Sequence, residues 1–296
     1  MSASQFQQEV DQGQRFEFGK NWARFLTRLN DERIVIAERS LADFLGADRL
    51  DGKTFLDIGS GSGLFSLAAR RLGAHVRSFD FDPNSVSCTR ELKRRYFPDD
   101  PHWIVEEGSI LDDAFVDRLG TYDIVYSWGV LHHTGRLFVA MDIVKKLVAM
   151  NGTLFIAIYN DLGAVTDRWA STKRLYNQLP SPFAFLLALG VIAREEGIGL
   201  AVAIRRLRPN QWLKSWTEYD RNSTRGMSKW HDWIDWIGGW PYERARIESI
   251  VDFFAKDGFR LIKLADRSSG YGCNEYVFYK EAASGTFIDA PIPSGN

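Results

Sequence analysis

Residues 54–83 read TFLDIGSGSGLFSLAARRLGAHVRSFDFDP. An apolar run ends at Asp57. Glycines follow at 59, 61 and 63, then a helical pattern from Leu64 to Leu72 closed by Gly73, then a second apolar run ending at Asp80. Strand, tight turn, helix and strand make one βαβ unit, whose two strands must be parallel.

The alternation continues outward. HVRSFDF (75–81) is the second strand, with a helix over 84–96 and FPDDP as its exit loop. WIVEEGS (103–109) is a third strand and YDIVYSWGV (122–130) a fourth. A helix at 137–150 leads to a fifth strand, GTLFIAIY, at 152–159. A later helix over 242–256 closes at Gly258 and is followed by FRLIKLA (259–265) and NEYVFYK (274–280). The loop between those two strands is too short for a crossover helix, so they pair antiparallel. The expected fold is α/β: a doubly wound, seven-stranded, Rossmann-like sheet with an antiparallel last strand and a mostly helical insertion after strand five.

Residues 1–50 read as helices. Trp22, Phe25, Leu26 and Leu29 fall on one face, and a second helix from about Glu32 stops at Gly46. Residues 161–240 show no strand pattern yet hold seven of the ten tryptophans. The expected organisation is N-terminal helices (1–50), a main domain (51–160 and 241–281), a Trp-rich helical lid (161–240) and a mobile tail (282–296).

Bulk properties narrow the function. A net charge of −1 over 296 residues gives no field for nucleic acid. Cys88 and Cys273, the only cysteines, supply no disulfide framework or metal spacing and read as reduced, buried thiols of a cytoplasmic protein. The N-terminus lacks a secretory apolar region. PFAFLLALGVIA (182–193) is short of the roughly 20 residues a bilayer span needs, and Arg194, Glu195 and Glu196 stop it. It reads as a core helix of the lid, with peripheral contact to a membrane surface as the alternative.

In open α/β sheets, ligands bind beyond the carboxyl ends of the strands. The glycine loop at 59–63, with Ser60 inside it, lets a ligand approach the backbone closely. Asp57 stands just before the first glycine, where it meets a cationic or amino group and would repel pyrophosphate. Asp80 ends the second strand, 23 residues after Asp57, where a carboxylate accepts both hydroxyls of a ribose. A ligand with a ribose and an ammonium end, needing no phosphate, is S-adenosylmethionine.

These residues, with YDIVYSWGVLHH at strand four and the antiparallel last pair, resemble class I S-adenosylmethionine-dependent methyltransferases over about residues 50–160 and 241–280. The closest likeness is to ubiquinone-pathway O-methyltransferases. The resemblance implies that Asp57 and the backbone of Gly59, Ser60, Gly61 and Gly63 hold the methionine part, that Asp80 holds the ribose, and that Phe81 lies against adenine. Many members carry an aspartate after strand three that reads the adenine amine. Here Ser109, followed by Ile110, takes that place. Some members also carry an acid–x–x–acid–His metal set after strand four. This chain has Gly129 and His132 at the acid positions and matches only at His133, so no metal is expected.

Trp128, at the end of strand four, is placed to floor the cofactor or substrate. His132 and His133 follow it as candidate general bases, the bland alternative being helix-entry residues bonded to backbone. Tyr159 and Asn160 end strand five; a capping role suits Asn160 and Asp161 better than holding Mg²⁺. Strand seven begins at the active edge, which makes Tyr271, Asn274 and Glu275 substrate-contact candidates. In the insertion, Ser228 is a plausible N-cap of a helix carrying Trp230, Trp233, Ile234 and Ile237 on one face, with His231 and Asp235 at i and i+4 on another. His231 is a reserve base, and Trp233 and Trp240 are candidate walls for an apolar or ring-containing small molecule. The expected activity is O-methylation of such a molecule. A nicotinamide-dependent oxidoreductase and a non-catalytic cofactor-binding protein are the competitors.

Overall fold

The computed structural model describes residues 3–27, 29–219, 229–267 and 272–282, with backbone alone for Ala3, Asn21, Ala23, Arg24, Phe25 and His231. Seven strands form one sheet: β1 (Thr54–Ile58), β2 (His75–Asp80), β3 (Trp103–Glu107), β4 (Tyr122–Trp128), β5 (Val148–Tyr159), β6 (Phe259–Ala265) and β7 (Cys273–Lys280). Their order is β3-β2-β1-β4-β5-β7-β6. The first five run parallel, and β7 is antiparallel to both β5 and β6, as the short connection requires. The chain reverses between β1 and β4, which opens a crevice at the carboxyl edge.

Central strands covered on both faces read as unbroken apolar runs. Phe55, Leu56 and Ile58 of β1 are buried accordingly. One face packs against α3 (Asp31–Leu45), α4 (Leu64–Arg71) and α5 (Pro83–Tyr96), where Ile34, Leu41, Leu67 and Leu92 meet Phe55 and Trp103. The other face packs against α6 (Asp113–Val116), α7 (Leu137–Leu147) and a late helix (Ile247–Ala255), where Phe115, Met141, Val144, Ile250 and Phe254 meet Val125, Leu154 and Phe278.

Among the elements of the sheet domain, boundaries moved most in two places. Strand five begins at Val148, four residues before its expected start. Val148 pairs with Tyr122, the register then shifts, and Asn151 adopts a positive φ of 61° to absorb the irregularity. The late helix begins at Ile247 instead of 242. Residues 241–245 are not helical and run along the active edge, with Ala245 bridging to Asn160. Glu243 N–H donates to the His132 carbonyl (2.9 Å), Ala245 N–H donates to the Tyr159 carbonyl (3.1 Å), and the Glu243 carboxylate accepts the Leu137 N–H at the start of α7 (2.9 Å).

Residues 161–240 are helical where described: α8 (Ala164–Gln178), α9 (Ser181–Arg205), α10 (Pro209–Thr217) and α11 (Lys229–Gly238). Ser228 lies outside the described residues. Trp169, Ala188, Ile192, Ile237 and Tyr242 form a small core of their own. The expectation of a core helix at 182–193 is corrected. The helix continues through Arg194, Glu195 and Glu196 to Arg205, and buries only Ala184, Ala188 and Ile192. The acids fail to stop it because they turn inward. The Glu196 carboxylate accepts the indole N–H of Trp212 (3.0 Å), Trp216 (2.9 Å) and Trp233 (2.9 Å) and pairs with Lys229 (2.8 Å).

Ahead of the sheet, α1 (Ala3–Asp11) and α2 (Gly19–Leu26) cross the carboxyl edge. The Gly19 N–H donates to Asp82 Oδ2 (2.7 Å), the carboxylate that also accepts Asn84 N–H (2.8 Å) at the start of α5. Among the described residues, no helix is long and apolar enough to cross a membrane.

Candidate functional site

The crevice at the carboxyl edge is a cavity of about 1310 Å³. Its floor is the loop after β1. Gly59 has φ 76°, and a Cβ there would lie 2.4 Å from Val130 Cγ1. Gly63 has φ 81°, and a Cβ would lie 2.8 Å from Thr89 Cα. Both positions therefore require glycine. The N–H groups of Gly59 (2.9 Å) and Ser60 (3.1 Å) donate to the Phe79 carbonyl, which fastens the loop to β2.

Two carboxylates face this loop. Asp57 is buried, and burial raises its pKa to about 7 despite a hydrogen bond from Ser66, with the neighbouring Asp80 pushing in the same direction. Trp103 Nε1–H donates to Ser78 Oγ (2.9 Å), Ser78 meets Ser66 Oγ (2.7 Å), and Ser66 donates to Asp57 Oδ2 (2.5 Å). An indole only donates, so the chain of hydroxyls runs one way and ends on the carboxylate. Asp80 accepts the N–H of Gly61 (2.9 Å) and of Asp82 (2.9 Å), and burial likewise raises it to about 7. Two acids held this close to neutrality favour a cation beside them and disfavour phosphate. The residues present thus fit a ligand with a positive charge and sugar hydroxyls.

Phe81, Ser109, Ile110 and Trp128 line the same cavity. Ser109 Oγ accepts the Leu111 N–H (3.2 Å), so it shapes its own turn as well. Trp128 Nε1–H donates to Glu275 Oε1 (2.7 Å), which pins the indole across β5. Glu275 lines the cavity, but one of its oxygens is committed to Trp128.

The two histidines separate. They sit on a 3₁₀ turn, Leu131–His133, directly after β4. His133 lines the cavity and its Nδ1 lies 2.5 Å from the Pro241 carbonyl oxygen. A carbonyl only accepts, so Nδ1 carries the proton and Nε2 is the basic nitrogen of the neutral ring. His132 is fully buried behind it, 4.0 Å from the Tyr159 ring centroid, and does not line the cavity.

The other expected contacts divide as well. Tyr159 and Trp233 line the cavity. Asn160, Trp240 and Asn274 do not. Asn160 is buried where the chain pairs with Ala245, Trp240 accepts the Phe16 N–H through its carbonyl (3.0 Å), and Asn274 accepts the Arg267 N–H (2.8 Å). Gly63 shapes the loop from behind. Asp161, read as a cap, does accept the Gly163 N–H (3.0 Å) and the Thr166 hydroxyl (2.9 Å) at the start of α8. Tyr271 and the His231 side chain lie outside the described residues.

The sequence reading missed the roof. Phe6, Arg15, Phe16, Phe18 and Trp22 all line the cavity. Phe6 packs edge-on to Phe81 (5.4 Å), and the Arg15 guanidinium lies 5.0 Å from the same ring while Nη1 donates to the His133 carbonyl (3.0 Å). The alternating aromatics of QRFEFG (14–19) were the available signal. Glu196 was also missed, although an acid closing an apolar run in a Trp-rich segment invited the question.

A protein-family model described as "Methyltransferase domain" matches residues 27–262. The ubiquinone biosynthesis O-methyltransferase of Paraburkholderia xenovorans (strain LB400) is 30% identical over 117 residues, covering 38% of this chain and 46% of that protein. The ribosomal protein L11 methyltransferase of Lachnospira eligens is 40% identical over 79 residues, 25% of each. The chain thus spans less than half the length of these curated relatives. Among solved structures, the magnesium protoporphyrin IX methyltransferase of Synechocystis PCC 6803 with bound SAH aligns at a TM-score of 0.51 and 14% identity, over 90% of this chain and 98% of that one.

Proposed function

The chain belongs to the methyltransferase-domain family, and from that premise we propose that it methylates a hydroxyl of an apolar or ring-containing small molecule, using S-adenosylmethionine. The likeness to ubiquinone-pathway O-methyltransferases supports oxygen as the acceptor atom. The observation that carries the reading is the fixed tautomer of His133, which makes Nε2 the basic nitrogen of a residue lining the same cavity as the two acids.

S-adenosylmethionine, when bound, supplies an electrophilic methyl group on a sulfonium. The residues that would hold it are Asp57 and the backbone at 59–61 for the amino-acid end, Asp80 for the ribose, and Phe81, Ser109 and Ile110 for adenine. Trp128 forms the floor. His133 Nε2 would take the acceptor's hydroxyl proton as the methyl passes from sulfur to that oxygen, with S-adenosylhomocysteine as the leaving group. The imidazolium so formed is stabilised through Nδ1–H on the Pro241 carbonyl. Alignment and exclusion of water do the rest. Phe16, Phe18, Tyr159, Trp233 and Trp236 give the acceptor an apolar enclosure, and residues 161–240 act as the lid that carries part of it. The test is calorimetry with S-adenosylhomocysteine on the wild type and Asp80→Ala, followed by turnover of His133→Ala. Unchanged affinity in the first variant and unchanged turnover in the second would overturn the assignment.

A further inference from the structure

A helix that is apolar all round is normally buried on every side. Helix α9 is apolar all round from Pro182 to Ala193 and is not. Its buried stripe is Ala184, Ala188 and Ile192. The opposite side carries Phe183 and Leu186, each 60% exposed, together with the exposed Ile204, and Leu189 on its flank is exposed as well.

Charge on this element is sorted by direction. Glu195 and Glu196 are its only acids, and their side chains are 17% and 12% exposed. Arg194 is paired with Glu195, whereas Arg205 is exposed and the exposed Arg206 and Arg208 follow it. The outer face therefore combines large apolar side chains with cations and excludes acids, although the whole chain has a net charge of −1.

The end of the helix adds a second observation. Arg208 N–H donates to the Ala203 carbonyl (2.8 Å) and Leu207 N–H to the Ile204 carbonyl (2.9 Å). That pattern normally places glycine at the left-handed position. Here Leu207 occupies it, with φ 55°, and holds its side chain 89% exposed between two arginines. A leucine kept in a disfavoured conformation and aimed outward needs a partner that takes apolar groups.

We propose that the outer face of α9, with Leu207 at its tip, docks on an anionic phospholipid surface. The apolar side chains enter the boundary between headgroups and acyl chains, and Arg205, Arg206 and Arg208 meet the phosphates. The helix lies in the plane of the surface. The inference is independent of methyl transfer, because docking is read without cofactor or acceptor.

The experiment is co-sedimentation of the full chain with phosphatidylglycerol–phosphatidylcholine vesicles and with pure phosphatidylcholine vesicles. Binding is expected to the first and to be far weaker on the second. Replacing Arg205, Arg206 and Arg208 by Gln should weaken binding on the order of 100-fold, at about fivefold per cation. Leu207→Gly removes the apolar tip and suits the left-handed backbone, so it should lower affinity about tenfold while the melting temperature holds or rises. The proposal is overturned if the wild type ignores anionic vesicles, or if the variants bind as the wild type does. It is equally overturned if sedimentation velocity shows a dimer that Leu207→Gly and Leu186→Asp dissociate, since a second copy would then cover the face.

Discussion

His133 Nδ1 lies 2.5 Å from the carbonyl oxygen of Pro241, a residue more than 100 positions later in the chain. The contact exists because residues 241–245 run along the active edge, tied to His132 and Tyr159 by backbone hydrogen bonds. It fixes which ring nitrogen is basic. Proton transfer by a positioned side chain contributes typically about 10²–10⁴-fold. His133→Ala should cut turnover by about that factor and leave cofactor affinity nearly intact, as single-turnover kinetics and calorimetry would show. His132→Ala should act on stability instead, because its ring is fully buried away from the cavity.

Cofactor affinity should depend on pH through the two acids of the floor. Burial raises both Asp57 and Asp80 to about 7. A cationic ligand binds their ionised forms, so affinity should fall as pH drops below about 7, by up to about tenfold per unit for each carboxylate. The sign for stability is the reverse. From the ordinary value of 3.8 up to about 7 the folded chain keeps protons that the unfolded chain has released. The ligand-free protein should therefore lose stability as pH rises through that window and level off above it. Asp57→Asn should flatten both curves, measured by calorimetry and by denaturant titration.

Asp80→Ala should weaken S-adenosylhomocysteine by about 1–3 kcal/mol, the scale for leaving charged hydrogen-bond partners unmade. It also frees the Gly61 and Asp82 N–H groups. A melting curve is needed beside the calorimetry: equal loss of both would assign Asp80 to the loop alone.

The N-terminal roof should govern cofactor release. Arg15 spans Phe81 and the His133 carbonyl. A cation over an aromatic ring at a partly open site is worth about 0.5–1 kcal/mol. Arg15→Ala should speed dissociation roughly two- to fivefold in a stopped-flow displacement. An unchanged rate would leave the roof a packing element.

Glu196 should hold the insertion together. Burial opposes its charge, but the bonds from Lys229 and Trp233 outweigh it and keep the carboxyl below its ordinary 4.5. Its contribution is present above that value and lost as pH falls through the lowered pKa. Glu196→Gln should cost about 1–3 kcal/mol at neutral pH, and acceptor affinity should suffer more than cofactor affinity, because Trp233 loses its anchor while lining the cavity.

The sheet was legible because each strand carries a local signal. TFLDIG and HVRSFDF announce themselves, and the short link between the last strands forces their antiparallel pairing. The floor was legible for the same reason: Asp57, the glycines and Asp80 lie within one βαβ unit. What escaped depends on contacts between distant segments. Nothing local says that Arg15 reaches Phe81, that Pro241 receives His133, or that Trp212, Trp216 and Trp233 converge on Glu196. The inward turn of Glu195 and Glu196 also hid the length of α9, since two acids after an apolar run ordinarily mark a solvated end. Asn274 and Trp240 were named for standing near the active edge. Alternation along β7 and the backbone path of residues 239–241 point them elsewhere.

The most direct measurement is incubation with methyl-labelled S-adenosylmethionine and a metabolite extract, with the labelled products resolved by mass spectrometry. O-methylation by His133 predicts a labelled apolar product bearing the label as a methyl ether. It also predicts loss of that product in His133→Ala, at undiminished S-adenosylhomocysteine affinity. Label on nitrogen or carbon, or a product formed equally by the His133 variant, would contradict it.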